Sequence, residues 1–180
     1  MSKNLDRKLR HIHNYPKRGI DFIDITTVLK NAQDFHDLIA ELQAACADLN
    51  FDKIVAAEAR GFIIGSALAY VMQKGFVPVR KAGKLPAAIY KKTYKLEYGE
   101  STIEMHKDAL QAGERVLFID DLLAIGGTAE AACELIESAG AEVAGVLFFV
   151  ELAGLNGRQR LTKYDVRSLY LVHEDDLSQD

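Results

Sequence analysis

Cysteine is scarce in this sequence, whose 180 residues contain two, Cys46 and Cys133. Two cysteines are too few for a disulfide scaffold, and their separation does not suit a zinc site. Each lies among apolar residues of helical spacing, where a free thiol behaves as a small hydrophobic group. The five histidines form no cluster of metal ligands. These residue types therefore indicate neither a disulfide-stapled domain nor a metal centre.

Long apolar runs and an excess of positive charge are also missing. No run reaches the eighteen or so residues needed to cross a bilayer, and the N-terminal stretch lacks the apolar core of a signal peptide, so we expect a cytoplasmic location and no membrane partner. A net charge of −4 argues against a general nucleic-acid binder. The 180 residues, 49% of them hydrophobic and without repeats or linkers, predict one domain over residues 1–180.

Two widespread nucleotide-binding motifs are absent: the sequence has no G-x-x-x-x-G-K-[ST], and no G-x-G-x-x-G follows a strand. Instead, residues 115–128 read RVLFIDDLLAIGGT. The apolar run 116–120 predicts a buried strand with Asp120 and Asp121 at its C-terminal end. Small residues then lead into a helical pattern at 131–136. Glycines at a helix N-terminus favour a bound phosphate, so residues 124–128 are predicted to hold one.

The two acids indicate what accompanies the phosphate. They would repel a bare phosphate, but they suit the hydroxyl groups of a sugar or a Mg²⁺ ion. A ribose 5-phosphate satisfies both features. On spacing alone, the acidic pair could instead simply cap the following helix.

Short apolar runs alternate along the chain with segments whose apolar residues have helical spacing. Strands are predicted at 54–57, 76–79, 116–120 and 143–150, and helices at 35–49 and 62–72. This β-α-β repetition predicts an α/β fold with a mostly parallel, twisted sheet covered by helices on both faces. Ligands bind at the C-terminal strand ends of such sheets, so we expect Glu58, Arg80, Asp120 and Glu151 to converge on one site. The alternating, lysine-rich segment at about 86–106 predicts a flexible two-stranded flap.

The stretch V-L-F-I-D-D-L-L-A-I-G-G-T resembles the phosphoribosyl pyrophosphate (PRPP) motif of the type I phosphoribosyltransferases, in the form found in adenine-specific members. One position departs from the family, because Ile125 stands where the family has threonine. Five further blocks resemble segments of the family and follow one another in the family's order. With them the similarity covers residues 15–161. The blocks lie at 15–26, 58–62, 77–86, 94–99 and 150–158.

The resemblance implies the type I phosphoribosyltransferase fold and transfer of the phosphoribosyl group of PRPP to adenine, giving AMP and pyrophosphate, with Mg²⁺ bound through PRPP. It implies that Asp120 and Asp121 accept hydrogen bonds from the ribose hydroxyls during catalysis. The 5′-phosphate would be held by Ala124, Ile125, Gly126, Gly127 and Thr128. Pyrophosphate would be held by Ala59, Arg60, Arg80, Lys81 and Lys84. Arg60 could instead form a structural ion pair with Glu58, and the family commonly has a non-proline cis peptide in this loop.

For the base, the resemblance implies an N-terminal binding segment at about 15–27. Phe22 would stack on adenine, the backbone of Ile23 would read its Watson–Crick edge, and Leu155 would cover the opposite face. By sequence alone, Phe22 could equally be a core aromatic. Glu97 would exchange a proton with N7, and Tyr98 would help the flap to close. The family also implies a homodimer, with Arg80 reaching the neighbouring site.

Two other functions remain open at this point. One is a phosphoribosyltransferase for a 6-oxopurine, which would favour a lysine near the purine O6 that the sequence does not place. The other is a PRPP-sensing regulator on the same fold. Ile125 leaves room for a regulator, because a sensor tolerates a weakened phosphate site.

Overall fold

The central element is a seven-stranded sheet, seen in a computed structural model that describes residues 5–15, 22–95 and 99–173. Five strands run parallel: β3 (Lys53–Ala57), β4 (Gly75–Lys81), β7 (Arg115–Leu123), β8 (Glu142–Leu152) and β9 (Val166–Val172). Their spatial order is β4-β3-β7-β8-β9. The C-terminal ends of β3, β4 and β7 therefore meet at one edge of the sheet, as the sequence predicts.

Helices cover both faces of the sheet. Ile54 and Ala56 of β3 belong to one hydrophobic core, which also holds residues of α2 (Ala32–Ala45) and α3 (Arg60–Val71). Val55 and Ala57 belong to a second core, which holds residues of α4 (Gly127–Ser138). Alternate side chains of a strand point to opposite faces, so a strand that is apolar throughout is buried on both sides. The predicted α/β architecture is confirmed.

The predicted two-stranded flap is an antiparallel hairpin of β5 (Ile89–Lys95) and β6 (Glu100–His106). Strand β6 also pairs with β4 through Arg80 opposite Glu104 and Lys81 opposite Ile103. Ile103 and Met105 are buried in the core on the α4 side. The base of the hairpin is thus an extension of the main sheet rather than a separate flap.

Short elements near the N-terminus were not predicted from the sequence. A 3₁₀ turn at Leu5–Lys8 precedes β1 (Arg10–Ile12), which pairs antiparallel with β2 (Phe22–Asp24), and the one-turn helix α1 (Thr26–Leu29) follows. Within the described ranges, no helix has both the length and the apolar character required to cross a membrane.

The position of the acidic pair requires a correction. The sequence predicts a strand over 116–120 with the two acids at its C-terminal end, but β7 continues to Leu123, and Leu122 and Leu123 still pair with Val150 and Glu151 of β8. The apolar pair Leu122-Leu123 allows the ladder to continue beyond the acids. Helix α4 also begins earlier than predicted, at Gly127, so that Thr128 lies in its first turn.

Candidate active site

The loop between β7 and α4 forms a small cavity. Gly126 precedes the first residue of α4 and has a φ of 80°, a left-handed conformation that glycine adopts readily. The cavity has a volume of about 90 Å³ and is lined by Asp120 and residues 122–129. The first N–H groups of a helix have no partners within it, and the helix dipole favours an anion there. The five residues predicted to hold a phosphate therefore line a cavity with the chemistry of a phosphate site.

A larger cleft of about 310 Å³ adjoins this cavity. The two share Asp120, Leu122 and Thr128. Six residues predicted from the sequence line the cleft: Ala59, Arg60, Lys81, Asp120, Asp121 and Thr128. Glu58, Tyr94, Ser101 and several apolar residues complete its walls. A ligand that fills both spaces can place an anionic group at the α4 N-terminus and a second polar part beside Arg60 and Lys81.

The carboxylates of Asp120 and Asp121 lie against each other in this cleft. The Asp121 N–H donates to Asp120 Oδ1 at 3.0 Å. Burial raises the pKa of Asp120 well above its ordinary value, and the charge of Asp121 raises it further. Burial also raises the pKa of Asp121, although the Arg60 guanidinium opposes that effect. These raised pKa values favour binding of a proton by the pair when no ligand is present. Hydrogen bonds donated by ligand hydroxyl groups would instead stabilise the charged carboxylates.

Asp121 retains hydrogen-bonding capacity although it is 5% exposed. Arg60 Nε lies 2.8 Å from Asp121 Oδ2, which makes an ion pair. The same oxygen accepts no aligned hydrogen bond, so the contact is one of charge rather than of directed bonding. An acceptor that is paired by charge but lacks a directed hydrogen bond can still accept one from a hydroxyl group, or bind a cation, brought by a ligand.

The basic residues predicted to bind pyrophosphate divide into two groups. Lys81 and Arg60 line the cleft. Arg80 donates through Nε to Glu58 Oε2 at 2.8 Å, and Lys84 Nζ lies 3.4 Å from Glu58 Oε1. Burial raises the pKa of Glu58, but these partners and a backbone N–H more than offset it, so its pKa is lowered. Arg80 and Lys84 therefore share the single Glu58 carboxylate in this structure.

Arg60 does not form the alternative ion pair with Glu58, since Asp121 is its acidic partner. The peptide bond between Glu58 and Ala59 is cis, as the family resemblance implies for this loop.

Arg60 also connects the cleft to the N-terminal segment. Its Nη1 donates to the Ile23 carbonyl at 3.2 Å, and its Cζ lies 5.0 Å from the centroid of the Phe22 ring. The Phe22 ring also makes an edge contact with Tyr15 at 5.5 Å. Phe22 is half-buried and belongs to neither hydrophobic core, so the interpretation of Phe22 as a core aromatic is wrong. Arg60 thus brings the two predicted base-binding residues beside the cleft.

Leu155 and Glu151 are not among the residues that line the cleft. Leu155 lies in a 3₁₀ turn (Ala153–Leu155) after β8 and is 44% exposed. Glu97 and Tyr98 lie outside the described residues. Glu151, expected at the same site, is instead buried in a separate network, because Arg158 of the following 3₁₀ turn and Ser168 of β9 both donate to its carboxylate.

Tyr94, the first residue of the 94–99 block, is a site residue to which the sequence assigned no role. Its hydroxyl lies 2.9 Å from Thr128 Oγ1, and it lines the cleft. The alternating pattern of β5 places Tyr90 and Tyr94 on one face, which was the available signal. Nothing in the sequence indicated that this face meets the start of α4.

Comparison with known proteins agrees with a site for a phosphorylated sugar. Residues 24–177 match the model of the phosphoribosyl transferase domain. The adenine phosphoribosyltransferase of Ruminiclostridium cellulolyticum is 50% identical over 167 residues, which cover 92% of this chain and 98% of that protein. That of Caldicellulosiruptor saccharolyticus is 52% identical over 166 residues, covering 92% and 95%.

Solved structures give the same result. The crystal structure of adenine phosphoribosyltransferase from Thermoanaerobacter pseudethanolicus superposes with a TM-score of 0.93 at 48% identity, covering 94% of this chain and 99% of that one. The Saccharomyces cerevisiae enzyme, complexed with an imino-altritol bisphosphate and adenine, has a TM-score of 0.87 at 40% identity, covering 93% and 97%. The chain therefore belongs to the phosphoribosyl transferase family and, within it, to the adenine phosphoribosyltransferases.

Proposed function

We propose that the protein transfers the 5-phosphoribosyl group of PRPP to adenine and releases AMP and pyrophosphate, as in purine salvage. The observation that carries this proposal is the junction of the two cavities at Asp120 and Thr128. PRPP has a phosphate at one end, two ribose hydroxyls in the middle and pyrophosphate at the other end. The α4 N-terminus, the acidic pair, and the wall formed by Arg60 and Lys81 match these parts in that order.

Within this proposal, residues 124–128 bind the 5′-phosphate through backbone N–H groups and the Thr128 hydroxyl. Asp120 and Asp121 accept hydrogen bonds from the ribose hydroxyls. Arg60, Lys81 and the backbone at Ala59 contact pyrophosphate. Lys84 reaches it by exchanging its present partner, Glu58, for the more highly charged ligand, and Arg80 likewise leaves Glu58 but reaches the pyrophosphate of the neighbouring site.

The reaction is a displacement at the anomeric carbon. Adenine N9 forms a bond to C1 of the ribose while the bond from C1 to the pyrophosphate oxygen breaks, and its electron pair leaves with pyrophosphate. Positive charge grows on the sugar in the transition state, as at other glycosidic centres. Asp120 and Asp121 stabilise this charge and position the ring. Glu97, which lies outside the described residues, is proposed to take the proton from N7 of the base, which reacts as its N7–H tautomer so that N9 has a free lone pair.

Mg²⁺ is proposed to enter with PRPP. The described residues contain no group of three or more side chains suited to hold a metal ion. Mg²⁺ is often held by one or two carboxylates together with substrate phosphates, and the buried acceptor Asp121 Oδ2 fits that arrangement. When bound, the ion would neutralise charge on the departing pyrophosphate. Asp120 and Asp121 are the residues that would lie closest to it.

Adenine is proposed to lie against Phe22, with Leu155 over its other face. The Ile23 backbone would read the Watson–Crick edge of the base, so Arg60 must release the Ile23 carbonyl to which it now donates. Release is favoured if Arg60 turns toward pyrophosphate, because a charged oxygen is a stronger acceptor than a carbonyl. Base and PRPP binding would then be coupled through Arg60.

The decisive experiment is an activity assay with PRPP, Mg²⁺ and each of adenine, guanine, hypoxanthine and xanthine. We expect adenine to be preferred over hypoxanthine by at least roughly a hundredfold in kcat/KM, or about 2.7 kcal/mol, because an oxo group reverses the donor and acceptor order that the Ile23 backbone reads. Equal turnover of hypoxanthine would favour a 6-oxopurine enzyme. PRPP binding without turnover of any base would favour a regulator.

The proposal also includes a homodimer. It places the protein in the cytoplasm, where unpaired thiols such as Cys46 and Cys133 stay reduced. Arg80 would act on the neighbouring site. Mixing the inactive variants Arg80→Ala and Asp121→Asn should then restore activity, because one site of each mixed dimer combines an intact Asp121 with the other chain's Arg80. If exchange of chains is shown by mass spectrometry and activity stays absent, Arg80 acts within its own chain.

A further inference from the structure

Tyr94 links the β5–β6 hairpin to the start of α4. Its hydroxyl lies 2.9 Å from Thr128 Oγ1, and either atom can be the donor. Its ring lies against the helix start, since a Cβ placed on Gly127 would be 3.2 Å from Tyr94 Cδ2. The ring also packs against the core on the α4 side. Tyr94 is thus fixed at two points, by packing of its ring and by the bond from its hydroxyl.

The direction of this hydrogen bond determines what Thr128 can do. A hydroxyl has one proton to donate and two lone pairs to accept. If Tyr94 donates to Thr128 Oγ1, the Thr128 proton is free to point to an acceptor in the small cavity, which Thr128 also lines. A phenol is more acidic than an aliphatic alcohol and is the better donor of the two. An anion at the α4 N-terminus would therefore select the order Tyr94 to Thr128 to anion, in which each bond polarises the next.

Thr128 matters more in this chain because of Ile125. Thr128 is the one hydroxyl-bearing residue among residues 124–128, whose sequence is Ala-Ile-Gly-Gly-Thr. The loop therefore has a single side-chain hydroxyl for a phosphate, and that hydroxyl is the one hydrogen-bonded to Tyr94.

We propose that Tyr94 is a positioning residue for the 5′-phosphate: it acts through Thr128, orients that hydroxyl toward the phosphate, and couples the β5–β6 hairpin to occupancy of the phosphate site. This inference rests on the proposed function, which places the 5′-phosphate of PRPP and AMP at residues 124–128.

The test is a double-mutant cycle on AMP binding, measured by titration calorimetry with Tyr94→Phe, Thr128→Val and the double variant. Tyr94→Phe should weaken AMP binding by roughly three- to tenfold, the range expected for one neutral hydrogen bond. Thr128→Val should weaken it by more. The double variant should bind AMP no worse than Thr128→Val alone, because Tyr94 has nothing to orient once Thr128 lacks its hydroxyl.

Two controls separate positioning from general damage. Tyr90→Phe removes a hydroxyl from the face of β5 that also carries Tyr94. Tyr90 packs against the same core as Tyr94 but does not line the cleft, so AMP binding should not change. Adenosine, which lacks the phosphate, should bind Tyr94→Phe and the unaltered protein equally. Thr128→Ser keeps the hydroxyl and should keep the sensitivity to Tyr94→Phe.

Each other outcome has a defined meaning. If Thr128→Val weakens AMP but Tyr94→Phe does not, the inference fails and the proposed phosphate site stands. Additive losses in the double variant also overturn the inference, because Tyr94 would then act independently of Thr128. Equal weakening of adenosine and AMP by Tyr94→Phe would indicate a structural role and overturn it as well. If Thr128→Val leaves AMP binding unchanged, the assignment of residues 124–128 to the phosphate fails, and the inference fails with it.

Discussion

Gly126 and Gly157 lie backbone to backbone. A Cβ on Gly126 would be 2.5 Å from the Gly157 carbonyl oxygen, and a Cβ on Gly157 would collide with the Ala124 carbonyl oxygen. The turn after β8 thus forms the outer wall of the loop that is proposed to hold the 5′-phosphate. Gly157, which lies far from the phosphate motif in sequence, thus packs directly against that motif in space.

The first prediction concerns this contact. Gly126→Ala should lower the free energy of unfolding by about 1–3 kcal/mol more than Gly113→Ala does, and AMP binding should fall at least roughly tenfold. The control is matched, because Gly113 and Gly126 have φ of 84° and 80°, but a Cβ on Gly113 has nothing within 4 Å. Both substitutions therefore carry the same backbone strain, and only one adds a collision. Chemical denaturation measures the free energy of unfolding, and calorimetry measures AMP binding. Equal losses of stability in Gly126→Ala and Gly113→Ala would mean that the turn moves to accommodate the new methyl group.

The second prediction concerns Arg158, which holds the same turn. Its Nε donates to Glu151 Oε1 at 3.0 Å and its Nη2 donates to Glu151 Oε2 at 2.5 Å, while Ser168 Oγ donates to Oε2 at 2.6 Å. Glu151 is 5% exposed. Removing one partner of a buried pair typically costs 3–5 kcal/mol, and we expect about 2–3 kcal/mol for Arg158→Ala because the Arg158 side chain is 42% exposed.

The pH dependence gives this second prediction a sharper readout. Burial raises the pKa of Glu151, but hydrogen bonds from Arg158 and Ser168 more than offset it, so its pKa is lowered. A lowered folded-state pKa stabilises the protein above the unfolded-state pKa, and that stability is lost as the pH falls through the folded value. The deficit of Arg158→Ala should therefore be largest at neutral pH and shrink in acid. Adding Glu151→Gln should recover part of it at neutral pH; a fully additive loss would contradict the prediction.

Prediction from sequence succeeded where a strand is apolar over its whole length. Ile54 to Ala57 alternate between the two cores, so an uninterrupted apolar run was a sufficient signal for a strand buried on both faces. Strands β1 and β2 have three residues each, too few to show a period, and were missed. The place of residues 124–128 at the start of a helix could be predicted because the glycines and the helical pattern that follows are local features of the sequence.

The ion pairs of the site could not be predicted from the sequence. Arg80 and Lys84 were expected on pyrophosphate, yet Glu58 binds both, because β3 and β4 are parallel neighbours whose ends meet. The sequence left open an ion pair of Arg60 with Glu58. Its actual partner, Asp121, is on β7, which pairs with β3 on the side opposite β4. Pairings of this kind depend on strand order, which a single sequence states only indirectly.

The third prediction uses the raised pKa of Asp120. An acid whose pKa is raised by folding keeps a proton that the unfolded chain has lost, so the stability of the protein falls as the pH rises from the ordinary value of 3.8 toward the folded value. Asp120→Asn removes this penalty. Its melting temperature should exceed that of the unaltered protein at pH 8, and the difference should narrow toward pH 4, while AMP binding becomes weaker. A less stable Asp120→Asn at pH 8 would contradict the prediction.

The fourth prediction concerns Ile125, where the chain departs from the family motif. Ile125 lines the small cavity and is half-buried there. Threonine and isoleucine are both branched at Cβ, so Ile125→Thr can keep the shape of the turn while adding a hydroxyl. A hydrogen bond to a charged group contributes about 1.5–3 kcal/mol, equivalent to roughly 10- to 150-fold in affinity, of which water in an open site supplies part. We therefore expect the dissociation constant for PRPP with Mg²⁺ to fall at least about threefold.

Calorimetric titration of PRPP with Mg²⁺ into both proteins measures this change. Ile125→Val is the matched control, since it keeps the branched shape without a hydroxyl and should not tighten binding. Ile125→Thr should also lessen the effect of Tyr94→Phe, because the phosphate would then have a second side-chain donor besides Thr128. Unchanged or weaker PRPP binding by Ile125→Thr would mean that residue 125 points away from the phosphate. The backbone N–H groups and Thr128 would then account for phosphate binding without it.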